Sequence, residues 1–264
     1  MEEGAVVRKV SVKRIAMFFL WLVVAIVGLI VGLVMLAAVA DIVHWHGIRR
    51  GFIDDPSMNV YPTPLSDTSL AAAQGITTMT ASGCSIDLPW PNVRVLRGRF
   101  AELPDARGLS FEDPATTTDE AGIFRETFSG SEFQSNYDFL AAQLNFNPDE
   151  LPVLPWGHRH QRQIVFAVDK STMMPTDNHE PIYSVTLGNV RGFQLGKVNR
   201  ADGFLELRMF DPKDRQFRVR ILSGNSHVPW TQPEINFIVH SMRCDDAAYG
   251  AARHAWELEL HQQR

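Results

Sequence analysis

The hydrophobic pattern of this chain begins with one long apolar segment near the N-terminus. From Ile15 to Ala40, 26 consecutive residues contain no Asp, Glu, Lys or Arg. A helix of this length, at about 1.5 Å per residue, is roughly 39 Å long and can cross a hydrocarbon core of about 30 Å with some tilt. We therefore predict a transmembrane helix over 15–40 that is preceded by a short N-terminal segment, 1–14.

The end of this apolar segment leaves one alternative open. Ala38-Val39-Ala40 has the small-x-small form of a signal-peptidase site, with Asp41 directly after it. Cleavage after Ala40 would release a soluble secreted domain, whereas retention makes the segment a signal anchor. Because a cleavable signal has an apolar region of only about 7–15 residues, we interpret the segment as a retained, single-pass anchor.

Basic residues beside the span predict its orientation. Four of them precede the span and two follow it: Arg8, Lys9, Lys13 and Arg14 before it, and Arg49 and Arg50 after it. Since the excess of Lys and Arg stays in the cytoplasm, we expect 1–14 to be cytoplasmic at the cell membrane. The rest of the chain is then extracytoplasmic, in a periplasm or outside the cell.

Two glycines of the span are spaced for contact between helices. Gly28 and Gly32 are four residues apart, which places them on one helix face. Small residues at this spacing allow two membrane helices to approach closely and form a dimer. The alternative is that glycine is simply frequent in membrane helices. The predicted partners of the span are thus the lipid bilayer and, through these glycines, a second copy of the chain.

The clearest pattern after the span is a β-hairpin in "GFLELRMFDPKDRQFRVRIL". In each arm apolar residues alternate with charged ones, and "DPKD" between the arms has turn chemistry. The apolar positions are Leu205, Leu207 and Met209 in the first arm and Phe217, Val219 and Ile221 in the second. The pattern predicts an antiparallel pair with one buried face and one charged face in water.

Shorter patterned segments lie before and after this hairpin. Alternating or β-branched runs predict strands over 85–88, 92–98, 108–113, 181–188 and 190–196. Apolar residues at helical spacing predict helices over 131–146, 158–173 and 231–243. Antiparallel runs with helices between and after them indicate an α+β domain, in which helices pack on an antiparallel sheet. This order of elements resembles that of small PsbP-like sandwich domains, a resemblance that no motif carries and that implies a fold but no function.

These patterns divide the region after the span into three parts. Residues 41–83 are a juxtamembrane segment and a tether, because 51–83 are rich in Pro, Ser, Thr and Asp without a sustained period. Residues 84–244 are the extracytoplasmic α+β domain. Residues 245–264 are either one more helix or a C-terminal tail.

Composition argues against a nucleic-acid partner, and it does not decide whether the two cysteines form a disulfide. Residues 51–264 contain 27 acidic and 19 basic residues, which argues against a nucleic-acid partner. The two cysteines, Cys84 and Cys244, lie just before the first predicted strand and just after the last predicted helix of the domain. In an oxidising compartment they can form a disulfide that joins the ends of the domain. In the cytoplasm they would be two unpaired thiols.

The sequence has no motif of two common catalytic chemistries, serine hydrolysis and P-loop phosphate binding. The chain has no G-x-S-x-G pentapeptide, and the glycines of "GNVRGFQLGKV" do not have P-loop spacing. No cofactor is predicted. The weak metal candidates are His158 and His160 of "GHRH", which would share one side of an extended segment. A catalytic zinc site usually needs a third protein ligand, which the sequence does not identify.

We therefore expect a membrane-anchored protein that presents a binding, scaffolding or assembly domain, rather than an enzyme. Its expected partner is a protein of the cell envelope or a second copy of itself. The alternative is a membrane-tethered hydrolase or metalloenzyme with a site near His158 and His160.

Overall fold

The computed structural model describes residues 12–129, 132–153, 158–173, 180–198, 204–222 and 228–262. Its contacts divide the chain into two units. The first unit consists of Met1–Arg50 with Val153–Trp156, and the second of Gly51–Pro152 with Gly157–Arg264. The second unit contains the domain.

The first unit is dominated by helix α1, Val12–Asp54. Most side chains between Ile26 and Val43 are apolar and exposed, and the described helix from Ile26 onward is long and apolar enough to cross a membrane. Such a helix is compatible with a membrane anchor or with a signal sequence. The helix continues 14 residues beyond the predicted end at Ala40, so the start of the predicted juxtamembrane segment is helical. Positions Gly28 and Gly32 face open space, and the predicted helix dimer stays a prediction.

Within the residues that the structure describes, the second unit contains two sheets and five helices. The strands are β1 Thr63–Pro64, β2 Thr77–Ala81, β3 Cys84–Leu88, β4 Arg94–Leu96, β5 Phe100–Glu102, β6 Gly108–Phe111, β7 Ile182–Leu187, β8 Val190–Leu195, β9 Phe204–Phe210, β10 Gln216–Leu222 and β11 Arg243–Cys244. The helices are α2 Pro114–Ser129, α3 Asn136–Leu144, α4 His158–Met173, α5 Gln232–His240 and α6 Asp246–Gln262. Short 3₁₀ turns occupy Pro56–Asn59 and Pro148–Glu150.

The larger sheet has eight strands in the order β1-β7-β8-β9-β10-β6-β5-β4. All neighbours are antiparallel except β1, which pairs in parallel with β7. The predicted hairpin is confirmed as β9 and β10, with Met209 opposite Phe217. The hairpin of β7 and β8 turns at Gly188, whose φ of 58° suits glycine. The smaller sheet has three strands in the order β11-β3-β2.

The larger sheet is covered on both faces. One face packs on the smaller sheet and on α5, around the apolar side chains of the predicted hairpin, including Leu207 and Val219. The other face packs on α3 through Leu140 and Leu144 against Phe193. Helix α5 begins with a capping box formed by Thr231 and Glu234. A domain of mixed helices and antiparallel sheets is thereby confirmed, and the α+β class with it.

The structure corrects the prediction of a tether over 51–83. Residues 51–83 are part of the second unit rather than a free connector: β1 adds to one edge of the larger sheet, and β2 pairs with β3. Met58 is fully buried, and the Asn236 side-chain nitrogen donates to the carbonyl oxygens of Asp67 and Ser69 at 2.8 and 2.9 Å. The polar composition was misleading because Thr-rich β2 satisfies its backbone in a sheet. The folded part therefore begins well before Cys84.

Three further elements were not predicted. Helix α2 occupies 114–129, a segment with no assigned element, β5 lies between two predicted strands, and β11 follows α5. The C-terminal alternative of helix or tail is decided by α6, which begins at Asp246 and extends to Gln262. Of these elements, α2 matters most, because it covers the charged face of the hairpin.

Candidate functional site

The charged face of the β9–β10 hairpin is not a water-exposed face. Glu206 in β9 is only 3% exposed. Its carboxylate accepts hydrogen bonds from Arg208 Nε at 2.5 Å, from Arg218 Nε at 2.9 Å and from Arg220 Nε at 3.2 Å. Glu112, just after β6, lies 3.3 Å from both Arg218 and Arg220. We call these five residues the Glu206 cluster.

The cluster stabilises its own charges. Burial alone would raise the pKa of Glu206, but Arg208 and Arg218 beside the carboxylate hold that pKa below its ordinary value. Burial would likewise lower the pKa of Arg218, and Glu206 and Glu112 raise it instead. The Glu206 carboxylate and the Arg218 guanidinium are therefore ionised at neutral pH, although Glu206 is almost completely removed from water.

Helix α2 is attached to the unpaired start of β10. Strand β6 pairs with β10 only from Val219 onward, which leaves the backbone of Gln216 without a strand partner on that side. Thr118 Oγ1 accepts from the Gln216 backbone nitrogen at 2.8 Å, and Thr117 Oγ1 donates to its carbonyl oxygen at 3.0 Å. Asp113 caps the start of the helix through the Ala115 nitrogen at 3.0 Å. The threonines thus hold α2 over the charged face.

Helix α3 is attached to the hairpin turn. The Asp214 carboxylate accepts from the backbone nitrogens of Asn136 and Tyr137 at 2.6 and 3.1 Å, which are two of the unpaired donors of the helix start. Ser135 caps the same start through the Asp138 nitrogen at 3.0 Å. The Tyr137 ring stacks on Phe193 of β8 with centroids 5.6 Å apart. The turn therefore determines where α3 lies on the sheet.

Helices α2, α3 and α4 leave a cavity of about 270 Å³ above the Glu206 cluster. Its wall combines apolar rings with charged and amide side chains. The lining includes Phe124, Phe139, Leu140, Phe210, Met173, Thr117, Asn136, Gln143, Gln216, Glu120, Asp169, Arg208 and Arg218. About half of this wall is polar, which is more than in most binding pockets, where apolar walls carry only a few polar groups that orient the ligand.

Several polar groups at this cavity have unused bonding capacity. The Asn136 side-chain oxygen is buried and has no hydrogen-bond partner in the described part of the chain. Such an unsatisfied acceptor costs free energy unless something donates to it. Asp169 accepts one hydrogen bond, from Gln143 at 2.8 Å, and burial raises the pKa of its carboxyl group. The cavity is therefore more polar than its own side chains can satisfy.

Lys170, the neighbour of Asp169 in α4, is a second buried charge of this region. Its side chain is fully buried, and Nζ donates to the Phe146 carbonyl oxygen at 2.9 Å. The same nitrogen lies 4.1 Å from the centroid of the Tyr61 ring. Burial lowers the pKa of Lys170 to about 8. The amine holds α4 to the segment between α1 and β1, and it does not line the cavity.

The predicted metal candidates are not arranged as expected. His158 and His160 lie in the first turn of α4, so their backbone is helical and not extended. Positions two apart on a helix do not face each other, which removes the reason for pairing these residues. Their side chains lie outside the described part of the structure. Among the side chains that are described, no group of three His, Cys, Asp or Glu is placed to hold a metal ion.

The two cysteines form a disulfide in the structure. Cys84 of β3 and Cys244 of β11 are direct partners in the smaller sheet, 160 residues apart in sequence. Arg243 donates to the Asp87 carboxylate at 2.7 Å beside them. The structure therefore contains the disulfide and not the alternative of two unpaired thiols. The disulfide is distant in sequence and in sheet from the cavity, and we assign it a stabilising role.

The charged residues of the cavity were missed because the hairpin face was interpreted as solvated. A signal was nevertheless present in the register. Arg208 lies directly opposite Arg218, and Glu206 directly opposite Arg220. Like charges opposite each other destabilise a sheet unless an anion lies between them. The register therefore indicated that Glu206 serves several arginines at once.

Comparisons with models of protein families, with curated proteins and with solved structures found no match for this chain.

Proposed function

We propose that this chain is a single-pass membrane protein whose domain binds a small polar molecule outside the cytoplasm. The observation that carries the proposal is the cavity of about 270 Å³ above the Glu206 cluster, with its unsatisfied Asn136 oxygen and its partly used Asp169 carboxylate. A binding role agrees with the lack of a catalytic motif in the sequence. The bound molecule would be delivered to, or sensed for, a protein partner in the envelope.

Two features support the extracytoplasmic placement. The apolar part of α1 is of a length that crosses a bilayer, with more basic residues before it than after it. The Cys84–Cys244 disulfide is of a kind that persists in oxidising compartments and is rare in a cytosol. Together they favour a cytoplasmic N-terminus and a domain in the periplasm or outside the cell.

Cysteine labelling tests the orientation. Glu3→Cys marks the N-terminal segment, and Ile123→Cys marks an exposed position of α2. With a membrane-impermeant maleimide on intact cells or spheroplasts, we expect labelling of Ile123→Cys alone and labelling of both variants after detergent. Labelling of Glu3→Cys alone in intact cells would place the domain in the cytoplasm and refute the orientation.

A thermal-shift screen tests the binding role. The full-length protein in lipid nanodiscs is screened against small polar metabolites, and a ligand at about 100 times its Kd should stabilise the folded state by about 2.7 kcal/mol. The variant Ala121→Phe fills the cavity, and Ile123→Phe is the matched control on the same helix outside it. We expect hits that Ala121→Phe loses and Ile123→Phe keeps. A screen without hits, or hits unaffected by Ala121→Phe, would refute a role for this cavity.

A further inference from the structure

The ligand class can be derived from the bonding groups that the protein leaves unused at the cavity. Arg208 donates from Nε to Glu206 and from Nη1 to the Met173 sulfur at 3.3 Å. Both N–H groups of Nη2 and one of Nη1 have no acceptor among the described residues. The cavity therefore has a cationic end with three available donors, held in place from behind by a carboxylate.

The same cavity has an acceptor side. The Asn136 oxygen has no donor, and Asp169 has one oxygen that accepts no hydrogen bond in the described structure. Glu120 of α2 is exposed at the cavity and accepts no hydrogen bond from a described residue, although its charge helps to raise the pKa of Arg218. Arg218 differs from these groups, because Glu206 and Glu112 already accept from all three of its nitrogens.

These groups exclude ligands with only one sign of charge. A simple anion on Arg208 would be repelled by Asp169 and Glu120, and it would leave the Asn136 oxygen without a donor. A simple cation would satisfy the Asn136 oxygen and the carboxylates, and it would leave the three donors of Arg208 unused. Desolvated polar groups that remain unpaired reduce affinity, so a ligand with both charges is favoured.

We infer that the cavity takes a free amino acid with an apolar side chain, its carboxylate on Arg208 and its ammonium group between the Asn136 oxygen and Glu120. The apolar side chain lies against the wall formed by Phe124, Phe139 and Phe210. This inference rests on the proposed binding function and specifies its ligand.

The size of the cavity agrees with a molecule of this kind. Its volume of about 270 Å³ is just below the usual range of ligand pockets, about 300–1,000 Å³, which favours a small ligand. The edge-to-face packing of Phe124 and Phe139, with centroids 5.8 Å apart, gives one wall an apolar surface suited to an aliphatic or aromatic side chain.

Three related probes separate the charge requirements. L-Phenylalanine carries both charges, 2-phenylethylamine lacks the carboxylate, and 3-phenylpropionate lacks the amine. L-Leucine, 3-methylbutylamine and 4-methylpentanoate repeat the comparison with a smaller side chain. Binding to the full-length protein in lipid nanodiscs is measured by isothermal titration calorimetry. We expect an amino acid to bind at least about tenfold more tightly than either of its one-charge relatives, because each loses a charged hydrogen bond.

Variants of α2 and α3 test the ammonium side of the site without removing a hydrogen bond of the Glu206 cluster. Glu120→Gln should weaken the amino acid about tenfold, and it should not weaken the propionate, because a charge that repels the propionate is removed. Glu126→Gln is the matched control, since Glu126 is exposed on the same helix and does not line the cavity. Asn136→Leu should weaken the amino acid as well, and thermal unfolding of each variant without ligand checks that the fold is retained.

The outcomes distinguish this inference from the function on which it rests. Equal binding of the amino acid and the amine, or tightest binding of the propionate, would overturn the zwitterion. The zwitterion is also overturned if no probe of either series binds while the metabolite screen finds a ligand that Ala121→Phe loses. In that case the cavity binds a ligand of another class. Failure of the screen itself would refute the binding function.

Discussion

Glu206 gives the sharpest test of how the charged face is held together. Replacement by glutamine keeps the shape of the side chain and removes the one carboxylate that serves Arg208, Arg218 and Arg220. A glutamine has one acceptor oxygen, and its NH₂ group faces guanidinium donors. Arg218 and Arg220 keep Glu112 as a partner, whereas Arg208 loses the carboxylate with which it forms a hydrogen-bonded ion pair and keeps only the longer-range attraction of Asp169 within the described part of the chain.

The expected effect is large because Glu206 is buried. Removal of one partner from a buried ion pair costs about 3–5 kcal/mol. For a domain of this size, about 1 kcal/mol corresponds to about 2–4 °C in Tm, so Glu206→Gln should lower Tm by about 6–20 °C. Glu102→Gln is the control, because Glu102 is exposed and has only a 3.8 Å contact with Arg94. Its free energy of unfolding should change by less than about 0.5 kcal/mol.

The same variant has a predicted pH signature. The folded-state pKa of Glu206 lies below its ordinary value of 4.5, so this carboxylate stabilises the fold above about pH 4.5. That stability is lost as the pH falls through the folded-state pKa. The stability difference between the wild type and Glu206→Gln should therefore be constant from pH 7 to 5 and shrink below about pH 4.5.

A second substitution tests whether the cost comes from uncompensated charge. Glu206→Gln leaves the Arg208 guanidinium without its hydrogen-bonded carboxylate, and Arg208→Met removes that guanidinium. The double variant should therefore be more stable than the sum of the two single effects predicts. The measurement is chemical and thermal unfolding of the full-length protein in nanodiscs. The reasoning is refuted if Glu206→Gln is as stable as Glu102→Gln, or if the two substitutions are additive.

The remaining predictions concern three other features. Replacing both Cys84 and Cys244 by alanine should lower the free energy of unfolding by about 2–5 kcal/mol, since a bond across 160 residues restricts the unfolded chain, and unfolding without reductant measures it. The pKa of Lys170 rises from about 8 to its ordinary 10.5 on unfolding, so wild-type stability should increase relative to Lys170→Met between pH 8 and 10, by at most about 3 kcal/mol; a flat difference would contradict this. Gly192→Ala should destabilise the fold by at least about 1 kcal/mol, because its Cβ would clash with the Arg208 carbonyl oxygen. Gly122→Ala in α2, with open space around it, should instead stabilise the fold by up to about 1 kcal/mol. Equal changes in Tm would show that the β8–β9 contact is wrong.

The elements that the sequence predicted are those whose information is local. The β9–β10 hairpin has strict alternation on both sides of a four-residue turn, and α5 has a capping box before its apolar stripe. Each signal lies within a short stretch of chain and needs no knowledge of distant residues. For that reason these elements, and the α+β class that follows from their order, were accessible without a structure.

The start of the domain was missed for a reason that was partly avoidable. In "TTMTASGCSIDL", Ser82 and Gly83 both have positive φ, 45° and 71°, and they form the two-residue turn between β2 and β3. A Ser-Gly pair between two β-branched runs is a recognised turn signal. It was overlooked because the surrounding threonines were counted as polar linker residues rather than as strand formers.

The cavity was missed because no local sequence pattern indicates it. It depends on α2, α3 and α4 folding back over a charged sheet face, and α2 has no clear apolar stripe in "PATTTDEAGIFRETFS". The contacts that hold it, Thr117 and Thr118 with Gln216, join residues about 100 positions apart. Side-chain hydrogen bonds at such separations have no periodic signature, so neither the helix nor the site beneath it could be derived from spacing.

The cross-link between β3 and β11 also determines how the protein carries mechanical load. When tension is applied between the N-terminal helix and the C-terminal end, the covalent path runs from Cys84 directly to Cys244. Residues 85–243, which contain the larger sheet from β4 to β10 and the cavity, are bypassed by that path. A pull that peels β2 or α6 away would therefore not be transmitted along the backbone of residues 85–243 as long as the disulfide is intact.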